Sequence, residues 1–131
     1  MRKLICVLFL ISVILLTCGC SKTRVSGNAE VTLTYIYGDK DINVVLTDEE
    51  AEKVIEILNG NSYDPFSTAV PSCGFSNNIS LTVGHHRFDV ARDTCNTLLD
   101  CGSLRYFEVS QEAIDYIHAL FESYGGSFPC V

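Results

Sequence analysis

The chain combines a moderate length with a marked excess of acidic side chains. It has 131 residues, with 16 Asp and Glu against 9 Lys and Arg, and a formal net charge of −7. An acidic protein repels nucleic acid phosphates and anionic lipid headgroups, which disfavours both as direct partners. A chain of this length is expected to form a single domain.

The first twenty residues predict export and lipid attachment. Arg2 and Lys3 precede an apolar run, residues 4–16, which is shorter than the roughly 20 residues that span a bilayer. Small residues follow, and the segment ends in Gly19 and Cys20. This pattern resembles the lipobox of bacterial lipoproteins, in which a signal peptidase cuts before a cysteine that carries a diacylglyceryl group.

Two cysteines compete for the lipid, because the usual pattern places Leu three residues before the cysteine and a small residue just before it. Cys20 follows the small Gly19, whereas Cys18 has Leu15 at the upstream position. We favour Cys20, since the residue next to the cut is the stricter requirement. The resemblance implies a protein anchored by acyl chains to the extracytoplasmic face of the cell membrane.

Three regions follow from this assignment. Residues 1–19 are the predicted signal peptide, and their removal takes away two basic residues and no acidic one, so the mature protein is more acidic still. Residues 20–29 are the predicted lipidated cysteine and a tether. The tether is expected to be flexible, because the residues after the cysteine are mostly small and polar. Residues 30–131 are the predicted folded domain.

The first half of that domain predicts two strands and a helix. Apolar and polar side chains alternate along Val31–Tyr37, and a second strand is expected at residues 42–46 after turn residues. Thr47 and Glu50 form a capping box that begins a helix, and Asn59 lies near its end.

The second half predicts three strands and a helix after a long loop. Residues 61–78 contain Pro and Gly and show no period, which indicates the loop. The predicted elements that follow are strands at residues 79–83, 87–92 and 104–109 and a helix at residues 111–123 capped by Ser110. The order ββα, loop, βββα indicates an α+β fold, with an antiparallel sheet of about five strands and both amphipathic helices packed on one face.

Cysteine usage predicts a disulfide-stapled domain. The chain has seven cysteines, and an exported domain retaining Cys73, Cys95, Cys101 and Cys130 is expected to pair them. We predict a short Cys95–Cys101 clip and a long Cys73–Cys130 staple that pins the loop to the C-terminus. The spacing lacks the close cysteine pairs of structural zinc sites, so we predict no metal and no cofactor.

Catalytic motifs are missing, which disfavours an enzyme. The sequence has no G-x-S-x-G, no H-E-x-x-H, no phosphate-binding glycine loop and no C-x-x-C. We therefore expect a binding or inhibitory module for another envelope or secreted protein or ligand. The alternative is a thiol-disulfide redox or metal-handling protein of the envelope.

The predicted binding surface consists of apolar side chains that the periodicity of the core does not explain. They are Tyr63, Phe66 and Phe75 in the long loop and Leu98 and Leu99 between two cysteines. Apolar anchors on pinned loops lose little entropy when a partner docks. The alternative is that these side chains fold back and cover the sheet.

Overall fold

The computed structural model describes residues 25–61 and 74–130. In these residues the chain forms β1 (Val31–Tyr37), β2 (Lys40–Val45), α1 (Asp48–Asn59), β3 (Ile79–Val83), β4 (His86–Val90), β5 (Thr97–Asp100), β6 (Arg105–Glu108) and α2 (Gln111–Ser123). Neither described helix has the length and apolar character needed to span a bilayer. The predicted signal peptide and the predicted lipid-bearing cysteines lie outside the described residues.

The strands form one antiparallel sheet in the order β2-β1-β3-β4-β5-β6. β1 pairs with both β2 and β3, so the chain leaves the sheet after β2 and returns on the far side of β1, and α1 lies in this connection. From β3 onward each strand pairs with its successor. This register places Leu33 beside Leu81 and Val90 beside Leu98, so apolar side chains share one face.

That face, called here the inner face, carries the core together with both helices. Alternate residues of the strands point to it, as the period of a strand requires. The helices contribute apolar residues three and four positions apart, as an amphipathic helix does. The core cluster includes Leu33, Leu81, Phe88 and Leu98 of the sheet, Val54 and Leu58 of α1, and Ile117 and Phe121 of α2. Burial of each such side chain contributes about 1.5–3 kcal/mol.

Both helices begin at the predicted caps. The Glu50 backbone N–H donates to Thr47 Oγ1 at 3.4 Å, and the Thr47 N–H donates to Glu50 Oε2 at 3.0 Å, which completes the capping box. In α2 the Ala113 N–H donates to Ser110 Oγ at 3.1 Å. The capping prediction is therefore confirmed at Thr47 and at Ser110.

The C-terminal residues fold back along the end of the sheet. The Tyr35 hydroxyl donates to the Ser127 carbonyl at 2.9 Å, and the Arg92 guanidinium donates twice to the Cys130 carbonyl. The Phe128 ring packs against Phe121, with ring centroids 5.5 Å apart. These contacts extend the core beyond the end of α2.

The α+β class, the antiparallel sheet and the two helices are confirmed, but the strand count is wrong. The sheet has six strands, because residues 97–100, where the sequence predicts no strand, form β5. β5 is four residues long and places Leu98 and the acidic Asp100 on the same face. A four-residue strand with a carboxylate at an inward position shows no clear alternation of apolar and polar side chains, so the sequence does not indicate it.

The predicted disulfide pairing is also wrong, since Cys101 and Cys130 carry free thiols. The extended β5 separates Cys95 from Cys101, and a strand of this length spans about 10 Å, beyond the roughly 7 Å that a disulfide tolerates between Cα atoms. Cys95 is itself disulfide-bonded, but neither of the other described cysteines is its partner. Cys73 lies outside the described residues.

The folded part begins earlier in the chain than residue 30. Val25, which lies in the predicted tether, is buried in the core cluster. Its N–H donates to Asn59 Oδ1 at 2.8 Å, and its carbonyl accepts from Asn59 Nδ2 at 3.1 Å. The chain is therefore fixed at Val25 beside the C-terminal end of α1.

The aromatic contact between α2 and the sheet predicts a large loss of stability on truncation. Phe121 is fully buried against Tyr35 and Phe128, so Phe121→Ala should destabilise the fold by about 3–5 kcal/mol. The measurement is urea unfolding of the mature protein. The control is Ile36→Ala, because Ile36 is 41% exposed and should change stability far less. Equal losses for the two variants would contradict this packing.

Candidate binding groove

α1 and α2 lie side by side on the inner face and run in opposite directions. The start of α1 meets the end of α2, where the Tyr124 hydroxyl donates to Glu50 Oε2 at 2.7 Å. At the other ends of the helices, side chains of α1 and α2 line a common cavity of about 500 Å³. We call this cavity the helix groove. Its volume falls within the roughly 300–1,000 Å³ of ligand pockets.

Each helix contributes one stripe to the helix groove. Its main lining residues are Lys53, Glu56 and Ile57 of α1 and Glu112, Ala113 and Tyr116 of α2. Residues three and four apart in a helix lie on the same side, so each set forms a continuous wall. Gly60 and Asn61 line the groove where α1 ends, and Ser110 lines it where α2 begins.

The helix groove combines an apolar floor with a charged rim. Ile57 is buried, and Ala113 and Tyr116 are half-buried. The side chains of Lys53 and Glu56 are 46% and 72% exposed and form an ion pair with a distance of 3.1 Å between Nζ and Oε2. An exposed pair of this kind contributes about 0–1 kcal/mol.

Acidic side chains outnumber basic ones in the helix groove, since Glu56 and Glu112 line it against Lys53. Burial raises the pKa of the Tyr116 phenol, and the nearby Glu50 and Glu49 carboxylates raise it further, while Lys53 acts in the opposite direction. Glu112 is exposed and forms no ion pair with any residue of the described ranges. A cation is therefore favoured there over an anion.

A hydrogen-bond cluster lies around Glu50, at the ends of the two helices that do not line the helix groove. Glu50 Oε2 accepts from the Tyr124 hydroxyl, from the Thr47 N–H and from the Thr47 hydroxyl. The Tyr124 bond is the main cause of a lowered pKa of the Glu50 carboxyl. The same bond raises the pKa of the Tyr124 phenol. This cluster joins the first turn of α1 to the end of α2.

Part of the predicted binding surface belongs to the core. Leu98 is fully buried, because β5 directs it to the inner face between Val90 and Phe107, so it offers no surface to a partner. This part of the prediction is wrong. Tyr63 and Phe66 lie outside the described residues.

The structure brings Phe75 and Leu99 to the opposite, outer face of the sheet. Leu99 pairs with Tyr106 across β5 and β6, and the Phe75 ring lies 5.3 Å from the Tyr106 ring between centroids. All three side chains are half-buried. This arrangement agrees with the alternative in which these side chains cover the sheet.

The free thiols lie away from the helix groove. On the outer face, Arg87 Nε donates to Cys101 Sγ at 3.4 Å and to Asp89 Oδ1 at 3.0 Å. Burial raises the pKa of the Cys101 thiol, and burial likewise raises the pKa of the Cys130 thiol. A thiol with a raised pKa stays protonated and is a poor nucleophile. Within the described ranges, no three His, Cys, Asp or Glu side chains are placed to hold a metal ion.

The Glu50 cluster predicts a pH dependence of stability. The pKa of Glu50 is lower in the fold than its ordinary value of 4.5, so its ionised form stabilises the native state above that pH. This contribution should disappear as the pH falls through the lowered pKa. Glu50→Gln should therefore be less stable than wild type at neutral pH, and the difference should shrink on acidification below about 4.5.

The measurement is urea unfolding over a pH series, with Tyr124→Phe as the matched variant. Tyr124→Phe removes the main hydrogen bond but keeps the carboxylate, so it should lower stability in the same direction. In the double variant the two losses should not add, because both remove one interaction. A pH-independent difference between wild type and Glu50→Gln would contradict the cluster's role.

Comparison with protein-family models, with curated proteins and with solved structures gives no match for this chain. No relative therefore supplies an activity, a ligand or a set of functional residues.

Proposed function

We propose that this protein is a lipid-anchored binding module on the extracytoplasmic face of the cell membrane, and that its helix groove holds a segment of another envelope or secreted protein. The observation that carries this proposal is the cavity of about 500 Å³ between α1 and α2. A groove of this size with an apolar floor and polar groups on its rim is the usual form of a binding site.

The chemistry of the groove favours binding over catalysis. Tyr116 has a raised pKa and so keeps its proton at neutral pH, and Glu56 is engaged by Lys53. Among the described residues that line the groove, none is a cysteine or histidine. The groove side chains thus supply shape and charge rather than an activated nucleophile.

The proposed anchor would hold the groove close to the membrane. With the lipid on Cys20, five residue steps separate the anchor from Val25, which corresponds to at most about 18 Å of extended chain. Val25 is bound to Asn59 at the C-terminal end of α1, where the groove opens at Gly60 and Asn61. A partner would therefore meet the groove near the bilayer surface.

Lipid attachment at Cys20 is tested by mass spectrometry of the full-length protein expressed in a bacterium. We expect a mature protein that begins at Cys20 and carries the mass of attached acyl chains. Cys20→Ser should abolish processing and acylation, whereas Cys18→Ser should leave both intact. Retention of residues 1–19 in the wild-type protein, or loss of acylation in Cys18→Ser alone, would contradict the assignment.

Partner binding in the helix groove is tested by site-specific photo-crosslinking of the full-length protein in its own envelope. A photoreactive residue in place of Tyr116 should give a crosslinked species of defined mass. The same residue in place of Val45, which is 57% exposed on β2, is the matched control and should not. Ala113→Arg should fill the groove and abolish the crosslink while α2 remains helical by circular dichroism.

Two outcomes would contradict the proposal. The first is the same crosslinked species from Tyr116 and Val45, which would indicate contact by chance. The second is a crosslink from the probe at position 116 that persists in a folded Ala113→Arg protein. The partner would then contact this position without entering the groove.

A further inference from the structure

The charges around the helix groove specify the chemistry of its occupant. We propose, building on the proposed function, that the bound partner segment is basic and that its lysine or arginine side chains lie on the floor of the groove and reach the carboxylates of Glu56 and Glu112. The inference concerns the partner's chemistry, and it can fail while the groove remains a binding site.

The shape of the groove matches a side chain with an apolar stem and a cationic head. Ile57 and Ala113 give the floor aliphatic surface, and the Tyr116 ring gives it an aromatic wall. Lysine and arginine bury their methylene groups on such surfaces and keep the charge at the edge. A cation over a tyrosine ring is also attracted by the ring's electrons.

The carboxylates on the rim complement that cationic head. Glu56 and Glu112 stand on opposite walls, one from each helix. Glu49 and Glu50 do not line the groove, but both carboxylates raise the pKa of Tyr116, which does. Lys53 is the one basic side chain among the described lining residues, and Glu56 already neutralises it.

The helix ends at the open side add to this preference. α1 has no basic residue in its last turn, so no charged side chain compensates the negative end of its dipole at Gly60, and only the neutral Asn61 amide donates to the Ile57 carbonyl there. The positive end of the α2 dipole is already compensated, because Ser110 Oγ accepts a hydrogen bond from the Ala113 N–H and Glu112 lies in the first turn. The open end of the groove therefore presents more negative than positive charge.

Lys53 is expected to compete with the partner's cation. Its ion pair with Glu56 is exposed and therefore weak, so an incoming ammonium or guanidinium group can replace it. Removal of the Lys53 charge should consequently strengthen binding of a basic segment. A role of Lys53 in holding an anionic partner predicts the opposite change.

The test uses the full mature protein with its lipid, held in detergent micelles. Three capped peptides serve as probes, in which lysine, glutamine or glutamate alternates with leucine. Binding is followed through the nuclear magnetic resonance signals of the Tyr116 ring and the Gly60 amide, with the signals of the exposed Val45 as the reference outside the groove. We expect saturable shifts with the lysine peptide. The glutamine and glutamate peptides should bind at least roughly tenfold more weakly. The affinity of the lysine peptide should fall as salt is added.

Charge variants assign the effect to named residues. Glu56→Gln and Glu112→Gln should each raise the dissociation constant of the lysine peptide by roughly two- to fivefold. Lys53→Gln should lower it. The matched control is Glu108→Gln, which removes the same charge from an exposed position on β6 and should leave the affinity within about twofold of wild type.

Three other results would overturn the inference, and each of them has a different meaning. Equal binding of the glutamine peptide, with the same Tyr116 shifts, refutes a basic partner but leaves the groove as a binding site. Lysine-peptide shifts at Val45 instead of Tyr116 refute the groove itself. The predicted tether contains two basic residues, Lys22 and Arg24. Binding that begins only after both are replaced by Gln identifies the tether as the occupant and refutes a partner segment.

Discussion

Both helices cover the same face of one sheet, and the remaining architecture depends on this constraint. Two helices on one face must lie side by side, so the space between them is set by what joins their ends. At one end the hydroxyl of Tyr124 donates to the carboxylate of Glu50, which also completes the cap at Thr47. At the other end no described hydrogen bond joins α1 to α2, and the helix groove opens between them. The Glu50 carboxylate thus contributes to the start of α1 through Thr47 and joins α1 to α2 through Tyr124.

Local chemistry made most of the fold predictable. The capping box at Thr47 and the cap at Ser110 fixed both helix starts, because each depends only on residues three positions apart. The alternation of apolar and polar side chains predicted β1, β3 and β4. It failed at β5, where Asp100 takes an inward position and the strand is short. The cysteine pairing failed for a related reason, since an extended β5 holds Cys95 and Cys101 apart.

The candidate site was much less predictable than the fold. Glu112 and Tyr116 lie on the flank of an amphipathic helix, and sequence periodicity identifies the buried side of a helix but not which flank faces a neighbouring helix. The sequence instead predicts a binding surface from apolar residues that do not follow the periodicity of the core. Leu98 is one of these residues, and it is fully buried in the core. The useful signal was a pair of capped helices whose polar flanks carry glutamates and a tyrosine, but its meaning depends on tertiary packing.

The proposed location of a basic partner segment is the helix groove and not the outer face of the sheet. The most direct measurement is the set of intermolecular nuclear Overhauser effects between a lysine-containing peptide and the mature protein. A peptide in the helix groove should give contacts from lysine methylene protons to the Tyr116 ring and to the methyl groups of Ile57. Contacts to Leu99 and Tyr106, with none to Tyr116, would place the peptide on the outer face and rule out the helix groove as its site.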